Sequence, residues 1–212
     1  MSVPLTETRL TEERWQRLWQ ALGGSAPDGS YRQLRVAYDE PQRFYHNGSH
    51  IEACLAHFDR WQHLALAPAR VELALWTHDL VYDTRRQDNE AASAELTTSW
   101  LEQAGLQHHA TKVGEMILAT CHRQPPDDPD AALVVDLDLS ILASAAEHYA
   151  AYEQAIRAEY AWVEESLFRT GRARLLQHLL AMPHLYQSPT LAQRWEAQAR
   201  TNLQQALDRL RP

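Results

Sequence analysis

The chain has 212 residues, of which 45% are hydrophobic and 23% are charged, and its formal net charge is −8. This length suits one sizeable core, and the negative charge argues against a nucleic-acid binder, which usually presents a basic face. No apolar run approaches the roughly 18 residues that a membrane span requires, and the polar N-terminus is unlike a secretory signal. The cysteines, Cys54 and Cys121, lie far apart and form no CxxC pair, which favours a reducing cytoplasm.

Helical periodicity dominates from end to end, and Gly and Pro clusters fall between the periodic segments. We predict helices at 8–21, 31–39, 47–65, 69–82, 89–104, 107–121, 145–160, 163–181 and 189–210. The short stretch 133–142 has strand-like residue types but no convincing partner strand, so we expect a turn that leads into a short helix. The pattern predicts one all-α domain over residues 1–212.

Three stretches carry polar residues suited to chemistry. His46 and His50 lie four residues apart in RFYHNGSHIEACLAHF, a spacing that places them on one side of a helix. His78 and Asp79 stand side by side in the apolar run LALWTHDLVYD. Asp138 lies in VVDLDLSIL, and an Asp that precedes a helix is often only an N-cap.

The adjacent His78 and Asp79 are hard to explain as ordinary helix residues. Burying both without a partner costs roughly several kcal/mol. A divalent metal satisfies an imidazole and a carboxylate together. We therefore expect a divalent ion here, with Mn, Fe, Mg, Ni, Co and Zn all open.

The order of these residues resembles a known signature. His50, His78-Asp79 and Asp138 are similar to the H…HD…D pattern of the HD-domain superfamily of metal-dependent phosphohydrolases. More narrowly, the chain resembles a bacterial family of predicted HD phosphohydrolases of about 200 residues. The segments that carry this likeness span residues 38 to 203 and are YDEPQRFYHNGSHI, WTHDLVYD, DNEAASA, VVDLDLSIL, IRAEYAWV and EAQARTNL.

The resemblance implies an HD-like helical bundle in which His50, His78, Asp79 and Asp138 are the metal ligands. The YHNGSH segment also looks like the HNxxH element of cyclic-nucleotide phosphodiesterases, which makes His46 the proton donor to the leaving oxygen. Asp83 falls where the (p)ppGpp hydrolase branch has the second acid of its HDxxED element. Tyr82 replaces the Glu of that element, so that branch's activity does not carry over.

Other candidate residues lie close to these motifs. Arg43 could clamp a phosphate by a bidentate contact, although a surface arginine is an equally good reading. Asn89 and Glu90 open the helix after the HD pair and could bind substrate or orient water, while Glu90 also suits a helix first turn. His122 could line the cleft and hold a second metal.

The leading hypothesis is a cytoplasmic phosphohydrolase that cleaves a phosphoester or phosphoanhydride of a nucleotide or a related small molecule. The alternatives are a di-iron HD-type oxygenase, which His122 keeps open, and a nucleotide-binding regulatory module without turnover. We expect no nucleic-acid or membrane partner, and a homodimer is open. Arg157 and Tyr160 belong to IRAEYAWV, and chemistry alone assigns them no role.

Overall fold

Ten α-helices lie within residues 8–210, the part of the chain that a computed structural model of the protein describes, and no β-strand occurs there. This confirms the prediction of an all-α fold. None of the helices in this range is long and apolar enough to cross a membrane. The helices are α1 (Glu12–Ala21), α2 (Ser30–Tyr38), α3 (Gly48–Trp61), α4 (Pro68–Thr77), α5 (Asn89–Gln103), α6 (Ala110–Ala119), α7 (Pro129–Asp138), α8 (Ala146–Glu159), α9 (Glu165–Ala181) and α10 (Pro189–Leu210).

Side chains at the helix starts explain several of these bounds. The Asn47 side chain accepts the Ser49 N–H at the start of α3. The Asp128 side chain accepts two backbone N–H groups at the start of α7, directly before Pro129. Both residues act as N-caps, because a side-chain oxygen satisfies N–H groups that the first helical turn leaves free.

Helices α4 and α7 form the centre of the fold. In α4 every residue from Leu73 to Thr77 is buried, and in α7 every residue from Asp130 to Leu137 is buried. A helix that is apolar nearly all round belongs inside a protein. The two helices pack on each other, and both contact α3 and α6. Their C-terminal ends therefore lie in the interior.

The structure differs from the predicted secondary structure in two segments. The helix predicted over 69–82 stops at Thr77, so Asp79 follows the helix and is not inside it. The stretch 133–142 is the end of α7 followed by a 3₁₀ helix, Leu139–Ala143, and not a turn before a short helix. Asp138 is accordingly the last residue of α7, and although it directly precedes the 3₁₀ helix, its side chain makes no capping hydrogen bond there.

Candidate metal centre

The four predicted metal ligands come together at the ends of the central helices. His50 lies in the first turn of α3, His78 and Asp79 directly follow α4, and Asp138 ends α7. His50 and His78 are buried. Because α4 and α7 pack side by side, their C-terminal ends present these side chains to one another.

Short distances join the polar atoms of this group. The Nε2 atoms of His50 and His78 are 3.1 Å apart. Asp138 Oδ1 lies 3.1 Å from His50 Nε2 and 3.4 Å from His78 Nε2. One ligand atom from each of these three residues falls within 4.8 Å of the other two, so the three side chains could hold one metal ion.

Asp79 borders this group of three. Its Oδ2 lies 3.1 Å from His78 Nε2 and 3.5 Å from His50 Nε2. The same oxygen is buried and has no hydrogen-bond partner among the described residues. Such atoms are rare in native proteins and call for an explanation, such as an ion. A divalent cation would satisfy Asp79 Oδ2 and fits the mixed imidazole and carboxylate donors.

The backbone selects the tautomer of His78. Its Nδ1 lies 3.1 Å from the Leu75 carbonyl oxygen, which can only accept a hydrogen bond. Nδ1 therefore carries the proton, and the lone pair of the neutral ring is on Nε2, the atom that faces His50 and the carboxylates. Fixing a metal-binding imidazole through its other nitrogen is a common arrangement in metalloproteins.

The two carboxylates occupy unfavourable places on their helices. Asp138 lies in the last turn of α7, and Asp79 lies just past the end of α4. The C-terminal end of a helix carries partial negative charge, and an acid there costs about 0.3–1 kcal/mol at an exposed position. Two acids at two such ends attract positive charge to the space between them.

The histidines and carboxylates of this group stabilise one another's charged forms. Burial lowers the pKa of His78, but Asp79 and Asp138 outweigh burial and hold this pKa well above its usual value. Burial raises the pKa of Asp138, but His78 and hydrogen bonds from His122 and His50 hold it well below its usual range. The carboxylates thus remain charged and depend on nearby positive groups.

His46 is held by a carboxylate, Glu159, that was not among the predicted site residues. His46 Nδ1 lies 2.7 Å from Glu159 Oε2, and Glu159 Oε1 accepts the backbone N–H groups of Tyr45 and His46. The Tyr82 hydroxyl donates to Glu159 Oε2, and the Tyr82 ring stacks on the His46 ring at 4.1 Å. Burial lowers the pKa of His46, but Asp79 and Glu159 outweigh burial and raise it.

His122 extends the metal group on its other side. Its Nε2 lies 3.1 Å from Asp138 Oδ2, whereas His50 is paired with the other oxygen of this carboxylate, Oδ1. His122 has a φ of 51°, a left-handed conformation uncommon for residues other than glycine. Its Nδ1 is buried without a partner among the described residues. A strained backbone and an unpaired nitrogen beside a carboxylate are features typical of functional sites.

A cavity of about 360 Å³ opens onto this group. His46, His78, Asp79, His122 and Asp138 all line it. Its volume is near the lower end of the range for small-molecule sites. The predicted site residues Asn89 and Glu90 line it too, although both ends of the Asn89 amide are bound to the backbone of residue 83.

Two predicted site residues do not lie in this cavity. The Asp83 side chain is exposed and accepts the Arg85 N–H, so it forms a local turn. The predicted helix over 69–82 would have continued almost to Asp83, but α4 ends at Thr77, and Asp83 lies outside the cavity.

Arg43 also differs from its predicted role. Its side chain is 1% exposed, and its guanidinium binds Glu40 and the backbone carbonyls of Asp79 and Leu80. These contacts occupy the group that was expected to clamp a phosphate. Arg43 instead holds the segment that carries Asp79 in place.

The structure adds residues to the site that sequence reasoning missed. Glu159 lies in IRAEYAWV, beside the two residues of that stretch that had no assigned role. The actual role of Arg157 is to bind Glu165 and the carbonyls of Tyr160 and Val163 at the end of α8. Tyr160 lines the cavity. The one sequence signal for Glu159 was its place inside that stretch.

Searches against family models, curated proteins and solved structures found no match to this chain. The likeness to the HD-domain superfamily therefore remains a prediction from the sequence motifs.

Proposed function

We propose that this protein is a metal-dependent phosphohydrolase that acts on a phosphoester or phosphoanhydride of a nucleotide or a related small molecule. The observation that carries the proposal is the convergence of His50, His78, Asp79 and Asp138 beside a cavity that His46 also lines. A divalent ion bound there lowers the pKa of water and offsets the negative charge of a phosphoryl group. The cavity volume of about 360 Å³ supports a small molecule as substrate.

His46 is the residue best placed to protonate the leaving oxygen. Its Nδ1 side is committed to Glu159, which leaves Nε2 as the nitrogen available to a bound substrate. Glu159 stabilises the charged imidazolium, and Tyr82 stacks on the ring and keeps it in one orientation. A carboxylate that orients a histidine and stabilises its charged form is a recurring arrangement in acid–base catalysis.

Metal analysis followed by a substrate screen tests this proposal. We expect the purified protein to retain a divalent ion and, with Mn²⁺ added, to hydrolyse nucleotides or generic phosphoesters. Asp79→Ala should lose both the ion and the turnover. Unchanged metal content in this variant would refute the ligand assignment, and no turnover with any metal together with tight nucleotide binding would favour a regulatory module.

The role of His46 has its own test, based on the leaving group. An alkoxide needs a proton from an acid, whereas p-nitrophenolate leaves without one. We expect His46→Gln to reduce kcat for an alkyl phosphate about 10²–10⁴-fold and to change p-nitrophenyl phosphate hydrolysis far less. His57→Gln is the matched control, because His57 packs on Trp195 outside the cavity. Equal losses on both substrates would contradict an acid role for His46.

The contact between His122 and Asp138 favours a second candidate, an oxygenase with a two-iron centre. Asp138 offers one oxygen to His50 and the other to His122, which suits a carboxylate shared between two ions. Two irons per chain together with substrate-dependent O₂ consumption would establish this candidate and exclude the phosphohydrolase.

A further inference from the structure

The cavity has two chemically different halves. The half formed by the segment before α3, the segment between α4 and α5, the start of α5 and the C-terminal ends of α6 and α7 is mostly polar and contains three of the candidate metal ligands, His78, Asp79 and Asp138. The opposite half is formed by the 3₁₀ helix after α7 and by α8 and α9. Its wall is apolar and aromatic, and its aliphatic members are Leu139, Ile141, Leu142, Ile156, Leu175 and Leu179.

One charged residue interrupts the apolar half. Among the described residues that line this half, Arg172 of α9 is the sole charged one. Its side chain is 7% exposed. Placing a guanidinium in an apolar wall carries a desolvation cost that a purely structural wall would avoid.

The hydrogen bonds of Arg172 use only part of its guanidinium. Nε and Nη2 bind the two Glu153 oxygens at 3.0 and 2.8 Å, and Nη2 also donates to the Tyr152 hydroxyl at 3.0 Å. Nη1 makes no hydrogen bond to any residue within 8–210. Unlike the unpaired Asp79 Oδ2 and His122 Nδ1, however, it is not fully buried. Because Arg172 lines the cavity, the remaining N–H groups of Nη1 are available to a ligand there.

Glu153 positions the Arg172 guanidinium. It also accepts the Tyr149 hydroxyl, so the carboxylate is anchored within α8 while it binds Nε and Nη2. The Arg172 guanidinium also lies over the Tyr152 ring, 5.2 Å from its centroid. Two sides of the guanidinium are therefore fixed by protein. A preorganised guanidinium with free N–H groups is suited to binding an oxyanion.

We infer that Arg172 binds a second oxyanion of the substrate, so the substrate class is a small organophosphate with anionic groups at both ends. The phosphoryl group would lie at the metal half, an aryl or alkyl spacer against the apolar wall, and a carboxylate or second phosphate at Arg172. This inference rests on the proposed function for the identity of the first group. It adds that the substrate must carry a second anionic group and that Arg172 binds this group.

A matched pair of substrates tests the inference. 4-Carboxyphenyl phosphate carries a second anion, and 4-carbamoylphenyl phosphate has nearly the same shape without that charge. A hydrogen bond to a charged group is worth enough to give roughly a tenfold to hundredfold preference in kcat/KM for the carboxylate. We expect Arg172→Gln to remove this preference. A phosphate in place of the carboxylate, in 1,4-phenylene bisphosphate, reports which oxyanion Arg172 prefers.

Two further variants separate ligand binding from a structural ion pair. Glu153→Gln keeps an amide oxygen as an acceptor beside Arg172 and leaves the Arg172 charge in the wall, so the preference should persist. If Glu153→Gln loses the preference as Arg172→Gln does, the pair is structural and the inference is overturned. Arg14→Gln is the control, because Arg14 also binds acidic side chains but does not line the cavity. Thermal melting checks that each variant is folded.

Equilibrium binding keeps this test independent of turnover. The non-hydrolysable phosphonates of the same pair are titrated into Mn²⁺-loaded protein by calorimetry. Preferential binding of the carboxylate that Arg172→Gln abolishes, without hydrolysis of any phosphate, would support the anion site and refute the phosphohydrolase. Equal affinity of the wild-type protein for both phosphonates would overturn the inference, whether or not the protein hydrolyses phosphates.

Discussion

Glu159 offers the sharpest test of how the candidate site is held together. Its side chain is fully buried and accepts from four donors, which are the Tyr45 N–H, the His46 N–H, the His46 ring and the Tyr82 hydroxyl. In Glu159→Gln the amide oxygen can keep the two backbone bonds. The amide nitrogen then faces the His46 ring and the Tyr82 hydroxyl, where an acceptor is needed.

The size of the effect follows from the two bonds that are lost. Hydrogen bonds to a charged group contribute about 1.5–3 kcal/mol each, which sets an upper bound of about 6 kcal/mol. A change of the His46 tautomer and rotation of the Tyr82 hydroxyl recover part of this. We expect Glu159→Gln to lower the free energy of unfolding by about 2–4 kcal/mol at pH 7.

The pH dependence gives the same prediction a second readout. Burial raises the pKa of Glu159, but hydrogen bonds from His46 and the backbone outweigh burial and lower it. A carboxyl group with a lowered pKa in the folded state contributes stability above its unfolded pKa of about 4.3 and loses it as the pH falls through the folded value. The difference between wild type and Glu159→Gln should therefore shrink below about pH 4.

Urea unfolding monitored by tryptophan fluorescence between pH 3.5 and 8 measures this difference. Glu147→Gln is the control, because Glu147 is an exposed acid on the same helix, and its change should stay within about 0.5 kcal/mol. A Glu159→Gln protein as stable as wild type at pH 7 would refute the reasoning. A deficit that does not vary with pH would also refute it, since the lost interaction would then not depend on the carboxylate charge.

Two further predictions concern the segment after α4. Asp79→Asn removes a carboxylate that faces His50 and His78 just past the end of that helix. We expect Mn²⁺ to raise the melting temperature of wild type but not of this variant, since an ion at 100 times its Kd adds about 2.7 kcal/mol only where it binds. If Mn²⁺ raised the melting temperature of the variant as much as that of wild type, Asp79 would not be a ligand. Arg43→Met leaves the buried Leu80 carbonyl and the part-buried Asp79 carbonyl without their Arg43 donors. We expect the free energy of unfolding in urea to fall by about 3 kcal/mol, against little change for the exposed control Arg32→Met.

The candidate centre places carboxylates at helix C-terminal ends, where they are unfavourable without a cation and favourable with one. An acid is disfavoured at the C-terminal end of a helix, and Asp79 Oδ2 lacks a hydrogen bond. A cation bound at the proposed centre would offset both costs, because binding to the folded state alone stabilises that state. Functional sites often contain groups whose placement costs folding stability until a ligand is bound.

Much of the fold could be predicted from local sequence, because helix periodicity and helix stop signals are local properties. The predicted helix over 189–210 matches α10, and the one over 89–104 matches α5 within one residue. The apolar pattern brought out His78 and Asp79, since a polar pair inside an apolar run is visible without a structure, and the resemblance to the HD-domain superfamily added His50 and Asp138. These residues do lie together, as expected.

The end of α4 could not be predicted in this way. The apolar pattern continues through Leu80 and Val81, but Arg43 takes the carbonyls of Asp79 and Leu80, and the Ser93 hydroxyl bonds the backbone of Val81. These partners are 12 to 37 residues away in sequence. Their competition for backbone groups turned Asp83 away from the centre, against expectation.

The sequence by itself determined the helical class, because helix periodicity depends on residue types at short spacings, and it singled out His78 and Asp79 as a polar pair in an apolar run. The full set of candidate ligands followed from the resemblance to the HD-domain superfamily. The tertiary structure alone decided which residues orient and complement that set. Glu159 reaches His46 across 113 positions of the chain, and Arg172 comes to the cavity wall through the packing of α9 on α10 and its own bond to Glu153 on α8. No local sequence pattern predicts these contacts, because they depend on how buried helices pack, and packing is a property of the whole core.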